Sequence, residues 1–147
     1  MDQYIASLAR ACTAMSGIST LYTDNVPQDF VIPSLYFPPF ESDPSGSAFN
    51  SYRTGYTIYA KVFSATRSQA MALAENIVQG IMRKKCRLPV YKEDGTESGD
   101  ILRVSPPVAR VIDEGVAQIT LTYQIRRKFT EPKSPGAAEV KINKYYD

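Results

Sequence analysis

The side chains of this 147-residue chain that could do chemistry are two thiols, one acidic cluster and two basic runs; histidine is absent. Imidazole is the usual general base of a nucleophilic triad and the commonest metal ligand near neutral pH. Ser-His-Asp triads, HExxH zinc sites and Cys/His zinc fingers are therefore excluded. Cys12 and Cys86 do not form a CxxC pair, and two thiols cannot make a four-thiolate site. Both read as core packing. We expect no catalytic residue, no cofactor-binding residue and no metal ligand.

Glu93, Asp94, Glu97 and Asp100 could suggest a calcium loop or a carboxylate pair for acid–base work. The cluster lacks the alternating acids and bidentate closing Glu of an EF-hand, and nothing apolar nearby would raise a carboxylate pKa. It reads as a solvated turn. The run Arg83-Lys84-Lys85-Cys86-Arg87 falls where a long helix should end, so it either complements the helix dipole or makes an anion or subunit contact. Arg126-Arg127-Lys128 closes the last strand, as edge protection or as a partner contact. Tyr52, Tyr56 and Tyr59 invite comparison with a stacking platform for single-stranded nucleic acid, but two of them share an alternating apolar face, which favours core or interface packing. The GxGxxG and GxxxxGK[ST] phosphate-loop spacings are missing.

Composition agrees with these exclusions. Seventeen Lys and Arg against fifteen Asp and Glu give a formal charge of +2, far from the basic excess of a dedicated nucleic-acid binder. The 44% apolar and 22% charged fractions fit one globular domain. No apolar run approaches the roughly 20 residues that cross a bilayer, and MDQYIASLARACTAM lacks the basic start and apolar stretch of a signal peptide. The expected product is cytoplasmic, with its thiols unpaired.

The elements that must position these groups follow from periodicity. Ile5, Leu8, Ala9, Cys12 and Met15 share one stripe of a helix over 2–16, with Asp2 as N-cap and Gly17 as stop. Ile18–Thr23 is β-prone. Phe30–Phe40, interrupted by Pro33, Pro38 and Pro39, reads as an edge strand, and Glu41–Ser47 as a loop. Tyr52, Tyr56, Ile58, Ala60 and Val62 alternate with polar residues in a long strand. Thr66-Arg67-Ser68-Gln69 has the spacing of a capping box, opening a helix that runs to about Lys84. Leu88–Tyr91 and Ile101–Val104 flank the acidic hairpin tip. Val108–Ile112 and Val116–Arg127 flank Asp113-Glu114-Gly115, where a glycine suits a tight turn. Strict alternation of Ala117, Ile119, Leu121, Tyr123 and Ile125 should fix the register. The fold class is α+β: an antiparallel or mixed sheet with an N-terminal helix and one long helix packed on one face. Residues 1–129 form the single domain, and 130–147 an extended arm with too little apolar mass for its own core.

The order of segments resembles the tail terminator proteins of long-tailed bacteriophages and phage-tail-like particles, in the variety of Gram-positive phages and prophages. The likeness runs from Met1 to about Lys128. It is carried by Asn25–Pro33, Gly55–Met82, Lys85–Gly95, Leu102-Arg103-Val104 and Ile112–Gln118. The resemblance implies a virion structural protein, not an enzyme, that assembles in the host cytoplasm as a homo-oligomeric ring, usually a hexamer. Such a ring caps the head-proximal end of the tail tube, halts tube polymerisation and presents a surface to a head-side neck or adaptor protein. The tail sheath would be a further partner in a contractile tail, and genome DNA would pass through the channel without specific binding. The rival readings are a head-completion or neck connector protein and a nucleic-acid-binding module. A cyclic ring repeats one heterologous interface, so two different patches of one subunit must be complementary. The candidates are the edge Leu35–Phe40, with Tyr36, Phe37 and Phe40, for which ordinary core packing is the alternative, and the arm around Val140, Ile142, Tyr145 and Tyr146, for which the alternative is disorder. Arg83, Lys84, Lys85, Arg126, Arg127 and Lys128 are the remaining candidate contacts. The arm itself departs from the family pattern.

Overall fold

The alternation read from sequence becomes two thirteen-residue strands in the computed structural model, which describes residues 2–47 and 49–129. In chain order the elements are α1 Gln3–Ser16, β1 Leu21–Tyr22, β2 Ser34–Tyr36, β3 Glu41–Ser47, β4 Ser51–Phe63, α2 Arg67–Arg83, β5 Arg87–Tyr91, β6 Glu97–Arg103, β7 Val108–Asp113 and β8 Val116–Lys128. β4 and β8 pair antiparallel along their whole length, setting Tyr56 opposite Tyr123, Ile58 opposite Leu121, Ala60 opposite Ile119 and Val62 opposite Ala117. Each of these side chains is buried. A slip of one residue would turn the whole apolar set to solvent, which is why the alternation specifies this register.

The helices cover that apolar face. α2 contributes Ala70, Ala74, Ile77 and Ile81, and α1 contributes Ile5, Leu8, Ala9 and Cys12. The two helices meet at Gly80, where a Cβ would stand 2.7 Å from Met15 Cγ and Sδ, so the missing side chain permits the approach. Asp2 caps α1, its Oδ1 accepting from the Ile5 N–H at 2.8 Å, and Gly17 ends it at φ 75°. Thr66 Oγ1 accepts from the Gln69 N–H at 3.2 Å, but only this half of the expected box forms, because Gln69 Oε1 accepts from Ser64 Oγ instead. Among the described residues no helix is long and apolar enough to cross a membrane.

Three expectations change. Glu41–Ser47 is a strand, not a loop: β3 pairs antiparallel with β4 from Glu41 opposite Thr57 to Ser47 opposite Tyr52. β2 pairs only with Lys61–Phe63, which leaves the first part of β4 open, and β3 takes that place. Pro44 is tolerated because the outer side of β3 needs no ladder donor. Secondly, β2 is not an edge strand. β1 pairs parallel to it, Leu21 beside Leu35 and Tyr22 beside Tyr36, and the prolines flank β2 instead of interrupting it. Thirdly, there are two sheets. The larger has the order β1-β2-β4-β8-β7 with β3 also on β4, and β5-β6 is a separate hairpin. The hairpin is tied to α1 through Ser7, whose hydroxyl donates to Gln3 O at 2.8 Å and accepts from the Tyr91 N–H at 2.9 Å. The class is α+β with a mixed sheet, as the periodicity predicts. The expected arm, residues 130–147, lies outside the described residues.

Candidate assembly surfaces

The basic triplet that ends β8 splits, because successive strand residues face opposite sides of a sheet. Arg127 points to the helix side, where its Nη2 donates to the Tyr56 hydroxyl at 2.6 Å and its guanidinium lies 5.9 Å from that ring. Tyr56 in turn stacks on Tyr123 at 5.1 Å and meets Phe40 edge-on at 5.2 Å. Arg126 points to the opposite, helix-free side, with Nη1 donating to Ser51 Oγ at 2.9 Å. Lys128 is exposed at the end of the strand.

Arg126 is not alone on its side. The β4–β8 register puts Arg53 directly opposite it. The chain leaving β6 also reaches this edge: Val104 bridges to Tyr123, and the Ser105 N–H donates to Thr122 O at 2.8 Å. The result is an open cleft of about 500 Å³ lined by Arg53, Arg103, Val104, Ser105, Tyr123, Gln124 and Arg126. No carboxylate lines it. The one ion pair among the described residues is elsewhere, Arg67 Nε to Glu114 Oε2 at 3.7 Å.

At the C-terminal end of α2, Arg83, Lys84 and Lys85 are all exposed. Lys84 borders a second cavity of about 440 Å³ between α1 and β5, where Arg10 lies 3.7 Å over the Tyr91 ring and donates from Nη1 to Gly95 O at 3.1 Å. Beyond it stands the acidic tip, with Glu93, Asp94, Glu97 and Asp100 exposed. Asp94 accepts from the Thr96 hydroxyl at 2.6 Å and the Thr96 N–H at 2.9 Å, which holds its carboxyl below the ordinary range. Both thiols are free; burial pushes Cys12 up to about 12, and half-exposed Cys86 packs at the edge of the core. No group of three or more His, Cys, Asp or Glu side chains among the described residues is placed to hold a metal.

Of the apolar candidates, Phe37 is buried in the monomer's own core, Tyr36 is half-buried and Phe40 is 42% exposed. The larger apolar protrusions lie elsewhere. Phe30, Val31 and Ile32 are exposed together beside the C-terminal end of β4, where Phe30 packs on Phe63 at 4.9 Å, and Phe49 is fully exposed just before its N-terminal end. Val140, Ile142, Tyr145 and Tyr146 lie outside the described residues.

No protein-family model matches the chain. It is, however, 31% identical over 106 residues to the protein YqbJ of Bacillus subtilis (strain 168), an alignment that covers 72% of each chain. The chain belongs to the YqbJ family. This YqbJ-family protein is also similar to the phage-like element PBSX protein XkdJ of the same organism, at 25% identity over 123 residues and 84% of each chain. A chain from the virion of a native gene transfer agent particle overlays with a TM-score of 0.48 and 13% identity, covering 84% of this chain and 93% of that one. At that level the overlay carries no functional argument.

Sequence reasoning on this YqbJ-family chain found Arg126 but missed Arg53 and Arg103. Arg53 was within reach, since pairing the two apolar alternations places it opposite Arg126. Arg103 had no sequence signal, because it arrives through the separate hairpin. Phe30–Ile32 were hidden inside a segment read as strand, and Phe49 falls between the expected Glu41–Ser47 loop and the long strand.

Proposed function

We propose that this protein is a non-enzymatic structural component of a phage or phage-like particle, present in the virion at the neck. In this reading it forms a ring, six subunits on the family resemblance, at the head-proximal end of the tail tube. The ring stops tube growth by geometry: one face copies enough of the tube surface to dock and the other does not, so no further tube ring adds. The observation that carries the reading is the relationship to XkdJ over 84% of the chain, since that relative is named as a protein of a phage-like element. The chemistry of the chain supports it, with no histidine and an acidic cluster that stays a solvated turn.

The distribution of exposed apolar groups suits a subunit with two docking ends. Phe49 and the Phe30–Ile32 group stand at opposite ends of β4, roughly 40 Å apart at about 3.3 Å per residue. One end would meet the tail tube protein and the other the head-side adaptor, with the 130–147 arm as a further contact. The sheath would join in a contractile tail, and DNA would pass without specific binding.

The test is to mix the purified protein with isolated tail tubes and, separately, with tail-less heads, and to image the products by electron microscopy. Rings on tube ends are expected. Binding to heads alone overturns the tail reading in favour of a head-completion connector. Tight DNA binding that falls steeply with salt overturns it in favour of a nucleic-acid-binding module.

A further inference from the structure

The arginine cleft and the acidic hairpin tip carry charge of opposite sign. Arg53, Arg103 and Arg126 converge on an open cleft whose lining contains no acid. Glu93, Asp94, Glu97 and Asp100 are exposed on and beside the β5–β6 turn. None of these seven groups takes part in an ion pair among the described residues. We propose that the two patches bind each other between subunits: the acidic β5–β6 tip of one copy docks in the Arg53–Arg103–Arg126 cleft of the next, and this contact is the repeated interface of the ring.

Geometry excludes the same contact within one chain. Arg103 is the last residue of β6, Gly95 lies in the turn between Asp94 and Glu97, and Asp100 stands partway along the strand, so the cleft and the three turn acids Glu93, Asp94 and Glu97 are at opposite ends of one paired hairpin. At about 3.3 Å per residue that is roughly 26 Å, and a hydrogen-bonded hairpin does not fold back on its own base. Each subunit therefore offers a tip it cannot use and a cleft it cannot fill, as a heterologous, ring-forming contact requires. Guanidinium groups suit the role because their planar forks take carboxylates in bidentate pairs. Ile101, two residues from Arg103 on the same outward side of β6, is 56% exposed and supplies apolar area beside the charges. Lys92 and Arg10 also stand near the tip, but Arg10 is turned onto Tyr91 and Gly95 O. The acids there outnumber the cations.

Phosphate is the other chemistry three arginines could take. The exposed acids of the hairpin tip favour the subunit contact, because a ring interface between identical copies needs a patch of each sign on every subunit and a phosphate site needs only the cleft. The inference rests on the ring reading and can fail without it.

The experiment uses the full chain in three forms: wild type, a cleft-reversed variant (Arg53→Glu, Arg103→Glu, Arg126→Glu) and a tip-reversed variant (Glu93→Lys, Glu97→Lys). Asp94 is left intact to hold its turn, and circular dichroism checks the fold of each variant. Assembly is read by sedimentation velocity and native mass spectrometry, alone and on tail tubes. Each variant by itself should lose association by about tenfold or more, because like charges then face each other at every contact. An equimolar mixture of the two should regain it, since both kinds of contact in an alternating ring become attractive. Wild-type rings together with normal assembly of either variant overturn the proposal and leave the ring reading standing. The absence of wild-type rings, in solution and on tubes, overturns both. If the cleft-reversed variant assembles normally and loses salt-dependent affinity for DNA, the cleft is a phosphate site and the proposal is wrong.

Discussion

Tyr123 carries its hydroxyl into a place where nothing receives it. The residue is 1% exposed, its ring is stacked on Tyr56, and its oxygen has no hydrogen-bond partner among the described residues. An orphaned buried hydroxyl costs about 1 kcal/mol or more, so Tyr123→Phe should raise stability by about 1 kcal/mol in urea denaturation. The same substitution should change the pH dependence. Burial, and then the nearby Asp2 carboxylate, push the phenol above its ordinary value of about 10. A folded-state pKa raised in this way leaves the contribution intact below about pH 10 and removes it progressively as the pH climbs further. The wild type should therefore lose stability above that point faster than Tyr123→Phe; equal alkaline slopes would mean the ring is not where the structure puts it. Residue-level chemistry was legible in sequence where it depends on neighbours along the chain, as with the Asp2 and Thr66 caps. The state of the Tyr123 hydroxyl depends on Tyr56 from β4 and on Tyr4 and Asp2 from α1 and its cap, and no local pattern encodes that.

Elements were legible to the extent that their own residues specify them. The helix stripes and the β4 and β8 alternations are internal signals, and each forms where it is expected. β3 shows the opposite case: Glu-Ser-Asp-Pro-Ser-Gly-Ser has turn composition, yet it is a strand because β4 offers an unpaired edge that β2 is too short to fill. Pairing supplied by another element overrides local propensity there. The β7–β8 turn lies between these extremes. Gly115 sits at φ 72°, as the tight-turn reading anticipates, but the structure adds a constraint that sequence does not hold: a Cβ there would stand 2.5 Å from Ser64 O. Gly115 O also accepts from the Ser64 N–H at 2.8 Å, so the turn locks onto the end of β4. Gly115→Ala should accordingly cost more than the roughly 1 kcal/mol of left-handed backbone alone, because backbone cannot swing aside as a flexible side chain can. Thermal denaturation followed by circular dichroism measures it, and a change below about 0.5 kcal/mol would contradict the packing of this turn. Replacing Ile119 or Leu121 by Asp is a harsher probe of the same sheet: each puts an unpaired charge at a fully buried β8 position and should abolish the folded state.

At the scale of the whole molecule, composition conceals what the fold does with charge. A net +2 looks featureless, yet folding gathers three arginines at one end of the β5–β6 hairpin and leaves Glu93, Asp94 and Glu97 at the other. If that separation builds the ring, mixtures of subunits should behave in a way that neither stability nor simple loss of function can imitate. A cleft-reversed subunit keeps a normal tip, so it can join a growing ring and then refuse the next copy. Added to wild type in the cell, it should poison closure and leave tail tubes overlong. A subunit reversed at both places is more heavily mutated but should do no harm. Its basic tip repels the wild-type cleft and its acidic cleft repels the wild-type tip, so it is excluded from wild-type rings while remaining complementary to itself. Measuring tail lengths by electron microscopy in particles made with each co-expressed variant reads the difference directly. Equal poisoning by the two would show that the damage comes from the substitutions themselves, and tip and cleft would then have no claim to be partners. Raising the ionic strength should blur the discrimination, because the attraction and the exclusion are both screened over about 8 Å at physiological salt and less beyond it.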